Sequence, residues 1–216
     1  MDALEEEKKL KKKGFRTVAC LDEAGRGPLA GPVVACALAT LLKKTPSREL
    51  SGLIKNIRDS KRLSPKKRES IYNILLSCQE IKWATSRVGE KVIDKINILE
   101  ATKLAMRRAV EKLQKKLENK KVDFLIIDGN FNINSKISQK SIVKADTKVF
   151  SCMAASVVAK VVRDKIMNNY HKKFPQYRFD IHKGYPTKVH RRLLKKYGSC
   201  IIHRKSFSPV KKLKSH

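Results

Sequence analysis

The sequence predicts a mixed α/β fold, in which helices flank a β-sheet that begins with a hairpin. Two apolar stretches, 15–22 and 32–40, are separated by the glycine-rich AGRGPLAG, which favours a tight antiparallel connection. Later apolar stretches alternate with segments of helical periodicity, as in sheets whose strands are joined by helical crossovers. The 216 residues are 41% hydrophobic, which is enough for one packed core.

Local sequence features predict where the individual helices and strands begin and end. Ser64 and Pro65 indicate a helix start, because serine caps a helix N-terminus and proline fits its first position. A break is expected near Asn97, and Gly198 is expected to end the last helix. The predicted elements are, in chain order, strands at 15–22 and 32–40, a loop at 43–63, a helix at 64–77, a strand at 80–89, a helix at 90–118, a strand at 122–129, and helices at 147–173 and 187–198.

The chain is expected to form one domain over 15–205, preceded by a charged helix or tail at 1–14 and followed by a basic tail at 206–216. No apolar run approaches the roughly 20 residues that a membrane-spanning helix needs. The N-terminus has no apolar signal core, and the five scattered cysteines are typical of free thiols in a reducing compartment. We therefore expect a cytoplasmic protein without membrane contact, and a monomer is the default expectation.

The charge predicts an anionic partner. Lysine and arginine number 50 against 20 acidic residues, which gives a formal net charge of +30. Nucleic acid is the commonest partner of so basic a protein, because phosphates supply most of the affinity.

Four carboxylates stand in apolar surroundings despite this charge. Asp22 and Glu23 end the first strand, Asp128 ends the strand at 122–129, and Asp164 lies on the apolar face of a helix. Each has a structural alternative when taken alone: Asp128 can cap a turn, and Asp164 can pair with a neighbouring or buried cation.

Taken together, the carboxylates indicate a metal site. Two ionised carboxylates about 4 Å apart repel by about 4 kcal/mol at an effective dielectric constant near 20. The natural compensation is a hard divalent ion such as Mg²⁺ or Mn²⁺, which suits phosphodiester cleavage. Gly25, Arg26 and Gly27 follow the acidic pair and either form a plain hairpin turn or present peptide groups and a guanidinium to a phosphate.

The segment DEAGRGPLAGPVVA resembles the opening signature of ribonuclease HII, the type 2 ribonuclease H family. Further segments agree in order: RDSKRLSPKKR, VKADTKVFSCMAASVVAKVVRD, HKGYPTKVHRRLLKKYG and HRKSFSPV. The resemblance covers nearly the whole chain from about residue 15. One departure is Ala145, where the family usually has glycine.

The resemblance implies an RNase H-like mixed sheet with a C-terminal helical part. It also implies roles for particular residues. Asp22, Glu23, Asp128 and Asp164 would ligate Mn²⁺ or Mg²⁺ and act as catalytic residues. The substrate-binding residues would be Gly25, Arg26 and Gly27 at a ribose 2′-hydroxyl, Tyr185 against the next deoxyribose, and Lys61, Lys144 and Ser151 near phosphates. His182 and His190 are expected to be structural.

The implied activity is that of an endoribonuclease that cuts the RNA strand of RNA–DNA hybrids. It would also incise 5′ of single ribonucleotides in duplex DNA, leaving 5′-phosphate and 3′-hydroxyl ends, with ribonucleotide excision repair and primer removal as its tasks. Two alternatives stay open. One is a ribonuclease HIII-like hybrid nuclease, and the other is a non-catalytic basic nucleic-acid-binding protein.

Overall fold

A mixed sheet with helices on both faces forms the core, as the sequence predicts. The computed structural model describes residues 3–41, 47–57 and 63–213. The strands are β1 (Val18–Ala24), β2 (Val33–Thr40), β3 (Ile81–Val88), β4 (Phe124–Asp128) and β5 (Ser138–Ile142). The α-helices in the described ranges are α1 (Glu5–Lys12), α2 (Arg48–Asn56), α3 (Pro65–Ser77), α4 (Glu90–Lys116), α5 (Phe150–Lys173), α6 (Phe179–His182) and α7 (Lys188–Tyr197).

The strand order is β3-β2-β1-β4-β5, which places β1 at the centre. The predicted hairpin is confirmed, because β1 and β2 pair antiparallel from Ala19 opposite Ala39 to Ala24 opposite Val34. β1 also pairs in parallel with β4, with Leu21 opposite Ile127. The carboxyl ends of β1 and β4 therefore meet at the same edge of the sheet.

Two apolar layers cover the sheet. Successive residues of a strand point to opposite faces, so Leu38 packs with Phe150 and Val158 of α5, whereas Ala37 packs with Met106 of α4. Helices α2 and α3 complete the layer of α5. Thus α5 lies along one face of the central strands and carries its side chains to the edge where β1 ends.

One prediction was wrong: residues 48–56 lie in the segment predicted to be a loop, but they form α2. Ser47 caps this helix by accepting from the Leu50 N–H at 3.1 Å, and Leu50 and Leu53 are buried one turn apart. The basic composition of the segment hid this short apolar stripe.

The predicted break in α4 is confirmed at Asn97, whose φ of 65° is not helical. The polar edge strand β5 was not predicted.

The first and the last segments that the structure describes both pack onto the domain. In α1, Glu7 is buried and accepts from the Ser151 N–H at 3.2 Å and from the Ser151 hydroxyl at 2.8 Å. Near the other end, Val210 is buried against Leu29 and Leu194, so packed structure continues past residue 206. No helix in the described ranges is long and apolar enough to cross a membrane.

Candidate active site

Two aspartates face each other at the carboxyl ends of neighbouring strands. Asp22 lies one residue after Leu21, and Asp128 lies one residue after Ile127, its partner in the parallel pair. The parallel register therefore brings both carboxylates to the same level of the sheet edge. Asp22 is only 4% exposed, and β1 continues beyond it to Ala24.

A third aspartate, Asp146, completes the group. One oxygen from each of Asp22, Asp128 and Asp146 lies within 4.8 Å of the others. Asp146 stands in a 3₁₀ turn, Ala145–Thr147, that follows Lys144 in a left-handed conformation. The Ala145 N–H donates to Asp128 Oδ1 at 2.8 Å, which ties this turn to the end of β4.

Sequence reasoning missed Asp146. The burial of Asp146 is not visible in VKADTKVF, because this residue stands before α5 and so belongs to no helical stripe. The available signal was its place in a segment that resembles the family. The resemblance pointed to the far end of that segment, at Asp164.

Asp164 does not join the group, so the geometry departs from the sequence prediction. Asp22 is hydrogen-bonded to Ser156 of α5, and Asp164 lies eight residues further along that helix, a rise of about 12 Å. Asp164 instead accepts from Lys160 Nζ at 2.7 Å. This pairing is the structural alternative that a single acid on a helix allows.

The electrostatics of the group favour a bound cation. The pKa of Asp22 is raised well above its ordinary value, first by burial and then by the charges of Glu23 and Asp128. At separations of no more than 4.8 Å and a dielectric constant near 20, each ionised pair costs at least about 3 kcal/mol. Acidic oxygen ligands at such a separation suit a hard divalent ion, so the donor set fits Mg²⁺ or Mn²⁺.

Glu23 connects this group to the glycine turn. Its Oε1 lies 3.5 Å from Arg26 Nη1, and its side chain is 12% exposed. The Glu23 N–H donates to Asp22 Oδ1 at 2.6 Å, which orients the neighbouring carboxylate. The Arg26 guanidinium also lies over the ring of Phe131.

A cleft opens beside the carboxylates. Its lining residues are Glu23, Ala24, Gly25, Arg26, Gly27, Arg68, Ser156, Val157, Lys160 and Tyr185. A Cβ added to Gly27 would lie 3.9 Å from the Tyr185 ring, so the turn and the ring form facing walls. Lys160 Nζ lies 5.6 Å from the centre of that ring. Arg68, Ser156 and Lys160 are lining residues that the sequence analysis did not single out.

The other predicted substrate residues lie elsewhere. Ser151 is fully buried, and its hydroxyl is shared between Glu7 and Thr40, so it is not available to a phosphate in this structure. Lys144 is exposed and precedes the turn of Asp146. The prediction for Lys61 lies outside the described residues.

The ribonuclease HII family model matches residues 19–210. The chain belongs to the ribonuclease HII family. A ribonuclease HII from Chlamydia muridarum is 46% identical over 200 residues, which are 93% of this chain and 86% of the relative. The ribonuclease H2 from Pyrococcus horikoshii OT3 has a similar structure, with a TM-score of 0.70, 25% identity, and coverage of 91% of this chain and 96% of that one.

Bst-RNase HIII in complex with Mn²⁺ shares the fold, with a TM-score of 0.72 and 16% identity, covering 91% of this chain and 68% of that one. Family membership supports ribonuclease H activity on RNA–DNA substrates. The alternative of a non-catalytic nucleic-acid-binding protein is therefore set aside in favour of a ribonuclease HII nuclease.

A buried histidine network supports Tyr185 in this ribonuclease HII fold. His203 Nδ1 accepts from the Cys200 N–H at 2.9 Å, so in the neutral form its Nε2 carries the proton and donates to His190 Nε2 at 3.1 Å. His190 Nδ1 then donates to the Tyr185 carbonyl at 3.0 Å. The ring of His182 stacks on that of His190. These contacts suit the structural role expected for His182 and His190.

Burial and the neighbouring imidazoles lower the pKa of His190 to about 4 and that of His203 to about 3. In the unfolded chain both would titrate near 6.5. The unfolded state thus binds more protons below pH 6.5, so folding stability should fall as the pH drops from 6.5 towards 4. We expect a loss of about 1 kcal/mol per pH unit for each histidine.

Thermal melts between pH 7 and pH 4 measure this loss. The raised pKa of Asp22 acts in the opposite direction, so the informative quantity is the difference between the wild type and His203→Gln. We expect a shallower decline in the variant. Parallel curves would show that His203 does not stay neutral in the folded state.

Proposed function

We propose that this ribonuclease HII protein cuts the RNA strand of RNA–DNA hybrids and incises duplex DNA on the 5′ side of single ribonucleotides. The observation that carries the proposal is the convergence of Asp22, Asp128 and Asp146 beside a cleft walled by a glycine turn and an aromatic ring. In such a site the aspartates could bind divalent ions, and the cleft could bind one sugar of the substrate.

The metal-holding residues in this proposal are Asp22, Glu23, Asp128 and Asp146. A divalent ion bound there would supply an activated water and stabilise charge on the scissile phosphate. Mn²⁺ and Mg²⁺ both fit the oxygen donors, and Mn²⁺ is bound by the related Bst-RNase HIII. Asp164 would not ligate a metal. Its ion pair with Lys160 would instead position that lysine in the cleft.

The cleft residues would recognise the junction between RNA and DNA. The 2′-hydroxyl is the group that distinguishes the two sugars, and backbone N–H groups of the Gly25–Gly27 turn can donate to it. Tyr185 is 38% exposed and can stack against the following deoxyribose. Arg68 and Lys160 line the same cleft and can contact phosphates.

The direct test uses a labelled DNA duplex with one internal ribonucleotide, incubated with Mn²⁺, Mg²⁺ or chelator. We expect metal-dependent incision at the 5′ side of the ribonucleotide, with 5′-phosphate and 3′-hydroxyl ends. A long RNA–DNA hybrid serves as the second substrate. Cleavage of the hybrid without incision at the single ribonucleotide would replace the proposal with a ribonuclease HIII-like preference.

Gly27→Ala tests the role of the cleft without disturbing the fold. The new methyl group would meet only the Tyr185 ring, at an ordinary contact distance of 3.9 Å. We expect a change in melting temperature within a few degrees, because surface substitutions stay near 0.5 kcal/mol. Incision at a single ribonucleotide should fall about tenfold, since the methyl group narrows the space for the sugar. An unchanged rate would remove Gly27 from the substrate site.

A further inference from the structure

Two buried arginines lie behind the glycine turn. Arg204 is fully buried and donates to the carbonyls of Gly25 at 2.6 Å, of Arg26 at 2.9 Å and of Gly31 at 2.8 and 3.0 Å. Four hydrogen bonds thus run from its guanidinium to backbone carbonyls of the turn and of the segment that follows.

Arg163 of α5 supports the same region from the other side. It is fully buried and donates to the carbonyls of Ala30 at 3.1 Å, Pro32 at 3.0 Å and Lys183 at 3.0 Å. Its guanidinium lies 5.7 Å from the centre of the Tyr185 ring. Arg163 therefore ties the exit of the glycine turn to the segment that carries Tyr185.

The carbonyl contacts fix the direction of the neighbouring N–H groups. In a trans peptide the C=O of one residue and the N–H of the next point in opposite directions. Because Arg204 holds the carbonyls of Gly25 and Arg26, the N–H groups of Arg26 and Gly27 point away from it. The described part of the chain offers neither of these N–H groups a protein acceptor, and both residues line the cleft.

Keeping two guanidiniums in this position is costly. The pKa of Arg204 is lowered to about 9, mainly by burial and then by the charge of Arg163. Within the described ranges neither arginine forms an ion pair with a carboxylate, and every acceptor found for them is a backbone carbonyl. The cost of burying the two charges is therefore offset by hydrogen bonds to the backbone of the loop rather than by ion pairs.

We propose that Arg204 and Arg163 are positioning residues, which aim the N–H groups of Arg26 and Gly27 at the 2′-hydroxyl of a bound ribonucleotide. They would thereby set the preference of the cleft for RNA over DNA, without touching the substrate. The inference rests on the proposed function, because it assumes that the cleft binds the ribonucleotide.

The test measures binding to two duplexes that differ only in one 2′-hydroxyl, with chelator present so that no strand is cut. The readout is the ratio of the dissociation constants for the all-DNA and the single-ribonucleotide duplex. For Arg204→Lys, which keeps the charge but not the five-donor fork, we expect this ratio to fall about tenfold from the wild-type value. Binding of the all-DNA duplex should stay within about twofold.

Arg163→Lys provides a second variant and should also lower the ratio. Leu113→Ala is the matched control, since Leu113 is buried in the layer of α4 and its truncation destabilises the fold without approaching the cleft. It should keep the wild-type ratio.

Wild-type ratios in both folded arginine variants would overturn the inference. Failure of both lysine variants to fold, with Leu113→Ala folded, would also overturn it, because the arginines would then be supports of the fold alone. A wild-type protein that does not distinguish the duplexes would instead contradict the proposed recognition of the ribonucleotide by this cleft.

Discussion

Asp146→Asn should reduce cleavage of an RNA–DNA hybrid by about a thousandfold, whereas Asp164→Asn should cost less than about tenfold. Asp146 lies within 4.8 Å of Asp22 and Asp128, and a ligand to a catalytic ion contributes several kcal/mol of transition-state stabilisation, where each 1.4 kcal/mol is a factor of ten. Asp164 contacts Lys160 and would act only through it. The test compares the single-turnover rate of hybrid cleavage by each variant with that of the wild type, at saturating enzyme.

Both variants need a check that they are folded and bind substrate. Removal of one buried charge from the crowded aspartates should not lower the melting temperature of Asp146→Asn, and its affinity for the hybrid in chelator should match the wild type. The assignment would be overturned if Asp164→Asn were the inactive variant and Asp146→Asn cut at nearly the normal rate.

Gly25→Ala should be the most destabilising substitution in the glycine turn. Gly25 has a φ of 101°, and an added Cβ would lie 2.1 Å from Arg163 Nε and 2.8 Å from the Pro32 carbonyl. The buried guanidinium cannot move aside without giving up its carbonyl acceptors. We expect a loss of about 3 kcal/mol, or about 6–12 °C in melting temperature for a domain of this size.

Gly52→Ala is the matched control for this substitution. Gly52 lies in α2, and an added Cβ would meet no atom within 4 Å. Alanine is favoured over glycine in a helix by about 1 kcal/mol, so this variant should melt at or above the wild-type temperature. A Gly25→Ala protein as stable as Gly52→Ala would mean that Arg163 does not hold the turn rigidly.

The sequence was sufficient to predict the sheet edge at which the acids meet. Asp22 and Asp128 each end an apolar stretch predicted to be a strand, and the parallel pairing of β1 and β4 brings the two residues to the same level of the sheet. The sequence also predicted that Asp164 lies on the apolar face of a helix. Periodicity gives the face of a helix but not which turn of it reaches the sheet edge, and here that turn carries Ser156.

Long-range contacts explain the remaining differences. Ser151 lies in the first turn of α5 and could have faced a substrate, but α1 folds back and buries Glu7 against it from 144 residues away in the chain. The buried pair Arg163 and Arg204 was equally invisible, because their acceptors are backbone carbonyls of distant turns. Local composition and spacing do not predict hydrogen-bond partners that are so distant in the chain.

The most direct test of the metal assignment is a Mn²⁺ binding titration, followed by electron paramagnetic resonance, of the wild type, Asp146→Asn and Asp164→Asn. The donor set predicts saturable Mn²⁺ binding by the wild type, at least tenfold weaker binding by Asp146→Asn, and wild-type affinity in Asp164→Asn. Weakened binding in Asp164→Asn, with wild-type affinity in Asp146→Asn, would contradict the proposal that Asp22, Asp128 and Asp146 hold the ion.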